Sequence, residues 1–185
     1  MLRGFSRERG FTIVELLIVV VVIGILAAIT IVAYNGVTSA ARDAQIATDL
    51  RNIKQAVTRL EVDTGGTVFN CPGGGTTFGP ESAIDTAVTG LVSAPTVGAV
   101  RETCEWSTTA VNSWNGPYIQ ALNDPWDRPY FIDLDYFICD SGNGQLIAAV
   151  LTRGEDGDVD YPTSANSGAC TTTASDDTYM ELWRS

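Results

Sequence analysis

Histidine is absent from the 185 residues, which excludes a His-based triad, a His-ligated zinc centre and a histidine proton shuttle. Four cysteines are present, Cys71, Cys104, Cys139 and Cys170, but no two form a Cys-x-x-Cys pair, so metal-finger and thioredoxin-like spacings are missing as well. The chain also lacks a P-loop, a dinucleotide fingerprint and a nucleophile elbow. Basic residues are scarce, 11 against 22 acidic, for a net charge of −11. Arg3, Arg7 and Arg9 lie beside Glu8 in the first ten positions, and without that segment the charge becomes −13. Such a surface repels phosphates, so direct nucleic-acid binding is not expected. These absences together argue against an enzyme.

What is present is concentrated at the N-terminus. From Phe11 to Tyr34 the chain reads FTIVELLIVVVVIGILAAITIVAY, and no charge occurs between Leu16 and Ala41. As a helix these residues span roughly 39 Å, more than the ~30 Å hydrocarbon core of a bilayer. The apolar region of a cleaved secretory signal is shorter, about 7–15 residues. The preceding arginines would hold the N-terminus on the cytoplasmic side. A plain single-pass anchor accounts for the hydropathy alone, but two details go beyond it. Gly10 separates the basic leader from the apolar run, and Glu15 sits inside that run. A carboxylate there is expensive and marks a function with a specific partner. Cleavage after Gly10 would give Phe11 a new N-terminal amine, and Glu15 of one subunit could pair with the amine of the next, neutralising both in a packed bundle.

Arg9-Gly10 followed by Phe11-Thr12-Ile13-Val14-Glu15-Leu16-Leu17 resembles the class III signal of type IV pilins and type II secretion pseudopilins. The resemblance implies cleavage after Gly10 and methylation of Phe11 by a prepilin peptidase, with Glu15 supporting ordered subunit addition. It also implies a head domain outside the cytoplasm on a single-pass anchor in the inner membrane, later part of a filament in the periplasm or at the cell surface.

Beyond Gly36 the pattern changes. Ile46, Leu50, Ile53, Val57 and Leu60 form one stripe of an amphipathic helix, with Arg42, Asp43, Asp49, Arg51, Lys54 and Arg59 on other faces. Gly65-Gly66 supplies a stop. One long helix from Phe11 to Asp63 is expected, with Gly24 and Gly36 as weak points. The region 64–115 is rich in Gly, Thr and Ser and reads as a partly irregular segment with a short helix near Ala83–Val92. Strands are expected at Tyr130–Asp133, Tyr136–Cys139, Gln145–Thr152 and Tyr179–Trp183, with a turn at Ser141–Gly144. Alternation places Asp133 and Asp135 on an exposed face. The predicted organisation is a leader at 1–10, a membrane-spanning and filament-core helix at 11–38, an amphipathic half at 39–63, a variable region at 64–115 and a β-sheet head with an acidic loop at 116–185. The fold class is α+β: the long helix packed on a small antiparallel sheet of three to four strands, the pilin fold.

Within the head, Gly116-Pro117-Tyr118-Ile119 and Asp124-Pro125-Trp126-Asp127-Arg128-Pro129-Tyr130 resemble the GPY…DPWGxPY block of the major pseudopilin of type II secretion systems. Asp127 stands where that family usually has glycine. Asp-Pro starts a turn, Trp126 anchors it and Pro129-Tyr130 launches a strand, so the block is structural.

Further on, Gly154-Glu155-Asp156-Gly157-Asp158-Val159-Asp160 and Asp176-Asp177 gather carboxylates among glycines. Clustered hard oxygens suit calcium, although the spacing of an EF-hand is missing. A similar loop in major pseudopilins binds calcium, and the resemblance suggests Asp156, Asp158, Asp176 and Asp177 as ligands. The four cysteines read as two disulfides of an exported domain, with three pairings open. Cys71–Cys104 and Cys139–Cys170 are favoured because each closes a loop of about thirty residues, worth roughly 3 kcal/mol.

The expected role is a structural subunit of a type IV pilin-like filament, with the pseudopilus of a type II protein secretion system preferred. The implied partners are copies of itself, minor pilins or pseudopilins, the prepilin peptidase and an inner-membrane assembly platform. Two alternatives are a type IV pilus subunit for adhesion, motility or DNA uptake, and a membrane-tethered ligand-binding module acting through residues 64–115.

Overall fold

The computed structural model describes residues 10–65, 82–101, 104–140, 143–160, 163–164, 170–171 and 176–184. One helix, α1, runs from Ile13 to Thr64 and passes through Gly24 and Gly36 without interruption. It ends where the sequence supplies a glycine: Gly65 has φ +88 and its amide donates to Glu61 O at 2.9 Å. The chain comprises two compact units, one ending at Asp43 and the next beginning at Ala44.

The first unit contains the apolar half of α1. Its side chains are exposed along its length, from Phe11 at 79% to Val37 at 70%, and it is long and apolar enough to cross a membrane. Branched aliphatic residues all round a helix leave no polar face for water, so this half requires an apolar surrounding.

In the second unit the remainder of α1 is one-sided. Ile46, Leu50, Ile53, Val57 and Leu60 are buried, joined by Ala56. They pack against Ile84, Leu91, Trp106, Ala110, Tyr130, Ile132 and Val150. Lys54 Nζ donates to Glu181 O at 2.6 Å, and the Tyr130 hydroxyl donates to Asp49 Oδ2 at 3.0 Å. Burial, and then the Asp49 carboxylate, pushes the Tyr130 phenol far above its usual range.

The sheet comprises β1 (Ser82–Ala83), β4 (Phe131–Asp140), β5 (Asn143–Thr152) and β8 (Thr178–Arg184), antiparallel in the order β1-β4-β5-β8. Between β1 and β4 lie the hairpin strands β2 (Gly98–Arg101) and β3 (Cys104–Trp106) and a short helix, α2 (Thr108–Ser113). A second hairpin pairs β6 (Thr163–Ser164) with β7 (Cys170–Thr171). The architecture is therefore α+β, a long N-terminal helix on a small antiparallel sheet, consistent with the pilin fold. Of the expected turn at Ser141–Gly144, Asn143 and Gly144 begin β5, and 141–142 lie outside the described residues.

Two sequence expectations are corrected. Ala83–Val92 is not helical. Successive turns form instead, with Thr86 N donating to Ala83 O and Thr89 N to Thr86 O, and both threonine hydroxyls bind local carbonyls. Threonine hydroxyls compete in this way with a helical ladder. The helix lies later, at α2, where the Ser107 hydroxyl accepts from Ala110 N at 3.1 Å as an N-cap. The second correction concerns Asp133, which is 4% exposed rather than on an open face. The expected strands Tyr130–Asp133 and Tyr136–Cys139 merge into β4 through a bulge. Asp133 faces Ala149 and Tyr136 faces Ile147, so one strand carries an extra residue. The insertion reverses alternation. Ile132 therefore meets the helix, whereas Tyr136 and Ile138 join Phe131, Ile147, Ala149 and Leu151 on the opposite face, with Val159 of the acidic loop packed on them.

Candidate functional site

Two places carry chemistry. At the first, α1 begins with a reciprocal cap. Thr12 N and Thr12 Oγ1 both donate to Glu15 Oε2 at 2.8 Å, and Glu15 N donates to Thr12 Oγ1 at 3.3 Å. This Thr-x-x-Glu arrangement is a capping box, which satisfies helix amides that otherwise lack partners. Gly10, Phe11 and Glu15 are exposed within a few residues of one another. The Thr-x-x-Glu spacing of Thr12 and Glu15 is the sequence signal for this cap, a role for Thr12 beyond the assembly role expected of Glu15.

The second place is built on the turn at 123–130. Asp124, 4% exposed, accepts from Trp126 N at 3.0 Å and Arg128 N at 2.9 Å through Oδ1, and from the Thr152 hydroxyl at 2.5 Å through Oδ2. Its own amide donates to Arg128 O at 2.8 Å. Trp126 is half-buried against the main core. Asp127 has φ +64, and its carboxylate accepts from Asn123 Nδ2 at 2.9 Å. The left-handed backbone explains why glycine suits this position, and aspartate is among the residues that tolerate it.

Thr152 ends β5, and the acidic loop follows at once. Asp156, Asp160 and Asp176 bring carboxylate oxygens within 4.8 Å of one another. Asp176 Oδ2 accepts from Glu155 N at 2.5 Å and Asp156 N at 3.2 Å. Asp156 Oδ1 accepts from Asp158 N at 2.9 Å, and Asp177 Oδ2 from Asp160 N at 2.7 Å. Of the four expected ligands, the structure thus brings together Asp156 and Asp176. It adds Asp160, while Asp158 and Asp177 stand outside the trio. Desolvation, reinforced by the carboxylates of Asp160, Asp176 and Asp156, raises the Asp177 carboxyl to about 6 even though the Asp160 amide favours its charged form. Gly154, with φ +61, leaves the space that the Asp176 carboxyl occupies, since a Cβ there would collide with it. A donor set of hard carboxylate oxygens in a glycine turn fits calcium, of whose six to eight ligands it would supply part.

Cys139 is disulfide-bonded. Cys71 lies outside the described residues, as do the side chains of Cys104 and Cys170, whose backbones belong to β3 and β7.

No solved structure matches this chain. Residues 5–31 match the family described as a prokaryotic N-terminal methylation motif. The matched stretch contains Gly10, Phe11, the Thr12–Glu15 cap and the first half of the apolar helix. Over that N-terminal stretch the chain is similar to this family.

Proposed function

We propose that this protein is a structural, non-catalytic subunit of a type IV pilin-like filament, cleaved after Gly10, methylated on Phe11 and polymerised through its N-terminal helix. The observation that carries the reading is the methylation motif at 5–31 on a helix whose apolar half is exposed throughout the chain's own structure. A pilin-like family implies assembly from subunits and processing by a prepilin peptidase. Neighbouring helices supply the apolar surrounding in a filament, and lipid supplies it before assembly. In the filament Glu15 exchanges its Thr12 partners for the Phe11 amine of the adjacent subunit, which removes two charges from an apolar environment at once. Minor pilins or pseudopilins and an inner-membrane platform complete the machinery.

The particular filament we favour is the pseudopilus of a type II secretion system, supported by the resemblance of the Asp124–Tyr130 turn and the acidic loop that it holds. Asp156, Asp160 and Asp176 would bind calcium there, stabilising the loop by neutralising clustered carboxylates. Disulfides Cys71–Cys104 and Cys139–Cys170 complete the proposed head. The Cys139 disulfide also favours a second reading, a pilus subunit exposed outside the cell.

Mass analysis of the mature chain tests the core of the proposal. Loss of residues 1–10 and one added methyl group are expected, and an intact leader sinks the filament reading. With Glu15→Ala, filaments should disappear while the head remains folded; a tethered receptor would be unaffected. Millimolar calcium should raise the melting temperature of the chain in detergent, and no shift would remove calcium from the reading. Deleting the gene should abolish either protein secretion or surface fibres, separating pseudopilus from pilus.

A further inference from the structure

Two consecutive peptide groups in the acidic loop are held at both ends by opposite charges. The guanidinium of Arg128 donates to Gly154 O at 2.6 Å through Nη1 and to Glu155 O at 2.9 Å through Nη2. The amides of those same peptide groups, Glu155 N and Asp156 N, donate to Asp176 Oδ2. Each peptide therefore lies between a cation on its carbonyl side and an anion on its amide side. Such an arrangement strengthens both hydrogen bonds through polarisation.

From this we infer that Arg128 is a positioning residue of the calcium site, an internal cation that sets the Asp156–Asp160–Asp176 arrangement before any metal arrives. The inference rests on the calcium reading given above and assigns a task to a residue that is not itself a ligand.

Three features make the brace rigid. The Arg128 backbone is clamped by Asp124 at both its amide and its carbonyl. Asp124 is fixed in turn by Thr152, which immediately precedes the loop, so arm and target share one anchor. Gly157, at φ +87, admits the guanidinium face: a Cβ there would lie 2.7 Å from Arg128 Cζ. The planar fork of arginine reaches two adjacent carbonyls at once. Lysine, a single point of charge, holds one.

Calcium titrated calorimetrically into the full-length chain in detergent, paired with amide hydrogen exchange in EGTA, tests the inference. Arg128→Gln should weaken calcium binding about 10–100-fold, the range for losing a group that orients metal ligands. It should also speed exchange at Glu155 and Asp156 without metal, and Arg128→Lys should fall between. Gly157→Ala, which displaces the guanidinium but keeps its charge, should act in the same direction and carries the test if Arg128→Gln does not fold. Equal affinity in wild type and the variants overturns the role of Arg128 and leaves the calcium site standing. No binding by the wild type removes the site and this role together.

Discussion

Replacing Asp124 by alanine strikes the point where the 123–130 turn is tied to the sheet. The carboxylate accepts three hydrogen bonds, from Trp126 N, Arg128 N and the Thr152 hydroxyl. Thr152 is fully buried, so its hydroxyl would lose its acceptor where water has no access. Orphaning a buried polar group costs about 1–3 kcal/mol, and each partly buried amide adds about 0.5–1.5. The expected loss is about 3–5 kcal/mol. In a unit between the size classes for which shifts of about 4–8 and 2–4 °C per kcal/mol apply, this corresponds to a fall of roughly 10–20 °C in melting temperature. Near-UV circular dichroism of the detergent-solubilised chain, which reports the tryptophans, would follow the transition. A double-mutant cycle isolates the cause. In the Asp124→Ala background, Thr152→Val removes the orphaned hydroxyl and should recover about 1–2 kcal/mol. Strict additivity of the two substitutions, or a shift under about 3 °C for Asp124→Ala, refutes the argument.

Other substitutions probe separate links. Asp127→Gly should change stability by less than about 1 kcal/mol, because relief of the left-handed backbone offsets the lost Asn123 bond and the freer unfolded chain. Asp127→Val should lose about 2 kcal/mol or more in the same melts. Lys54→Met keeps the aliphatic stem but removes the bond to Glu181 O, and about 1–2 kcal/mol should be lost in urea titrations. Glu15→Gln retains an acceptor for the Thr12 cap while removing the charge. Electron microscopy should therefore show filaments lost although the helix start is intact, and normal filaments would mean that the carboxylate acts only as a cap.

Much of the fold was legible because it depends on periodicity. The stripe from Ile46 to Leu60 fixed which face of α1 is buried, and Gly65 marked its end. The N-terminal motif that contains Gly10 and Glu15 is likewise a local signal, readable without any partner. Reading failed where local preference competed with distant contacts. Ala83–Val92 has few helix breakers before Gly90, yet its threonines bind their own carbonyls while Trp106 Nε1 and Trp114 Nε1 bind Val88 O and Gly90 O. Those tryptophans approach from the β3 and α2 region, which no window around residue 88 contains.

Composition and pattern alone determined the membrane-competent helix, the acidic head and the exclusion of histidine chemistry, since each depends only on which residues occur and at what spacing. Tertiary structure decided which carboxylates meet. Asp156 and Asp160 are near in sequence, but Asp176 arrives from the far side of the β6–β7 segment, and Arg128 reaches the loop from a turn that precedes two strands. Asp133 likewise keeps its regular register beside Ala149 but is buried, because the bulge after it brings Tyr136 and Ile138 onto its face of β4. Charge and hydropathy are properties of residues, whereas coordination geometry belongs to chain segments that only the register of a folded sheet can bring side by side.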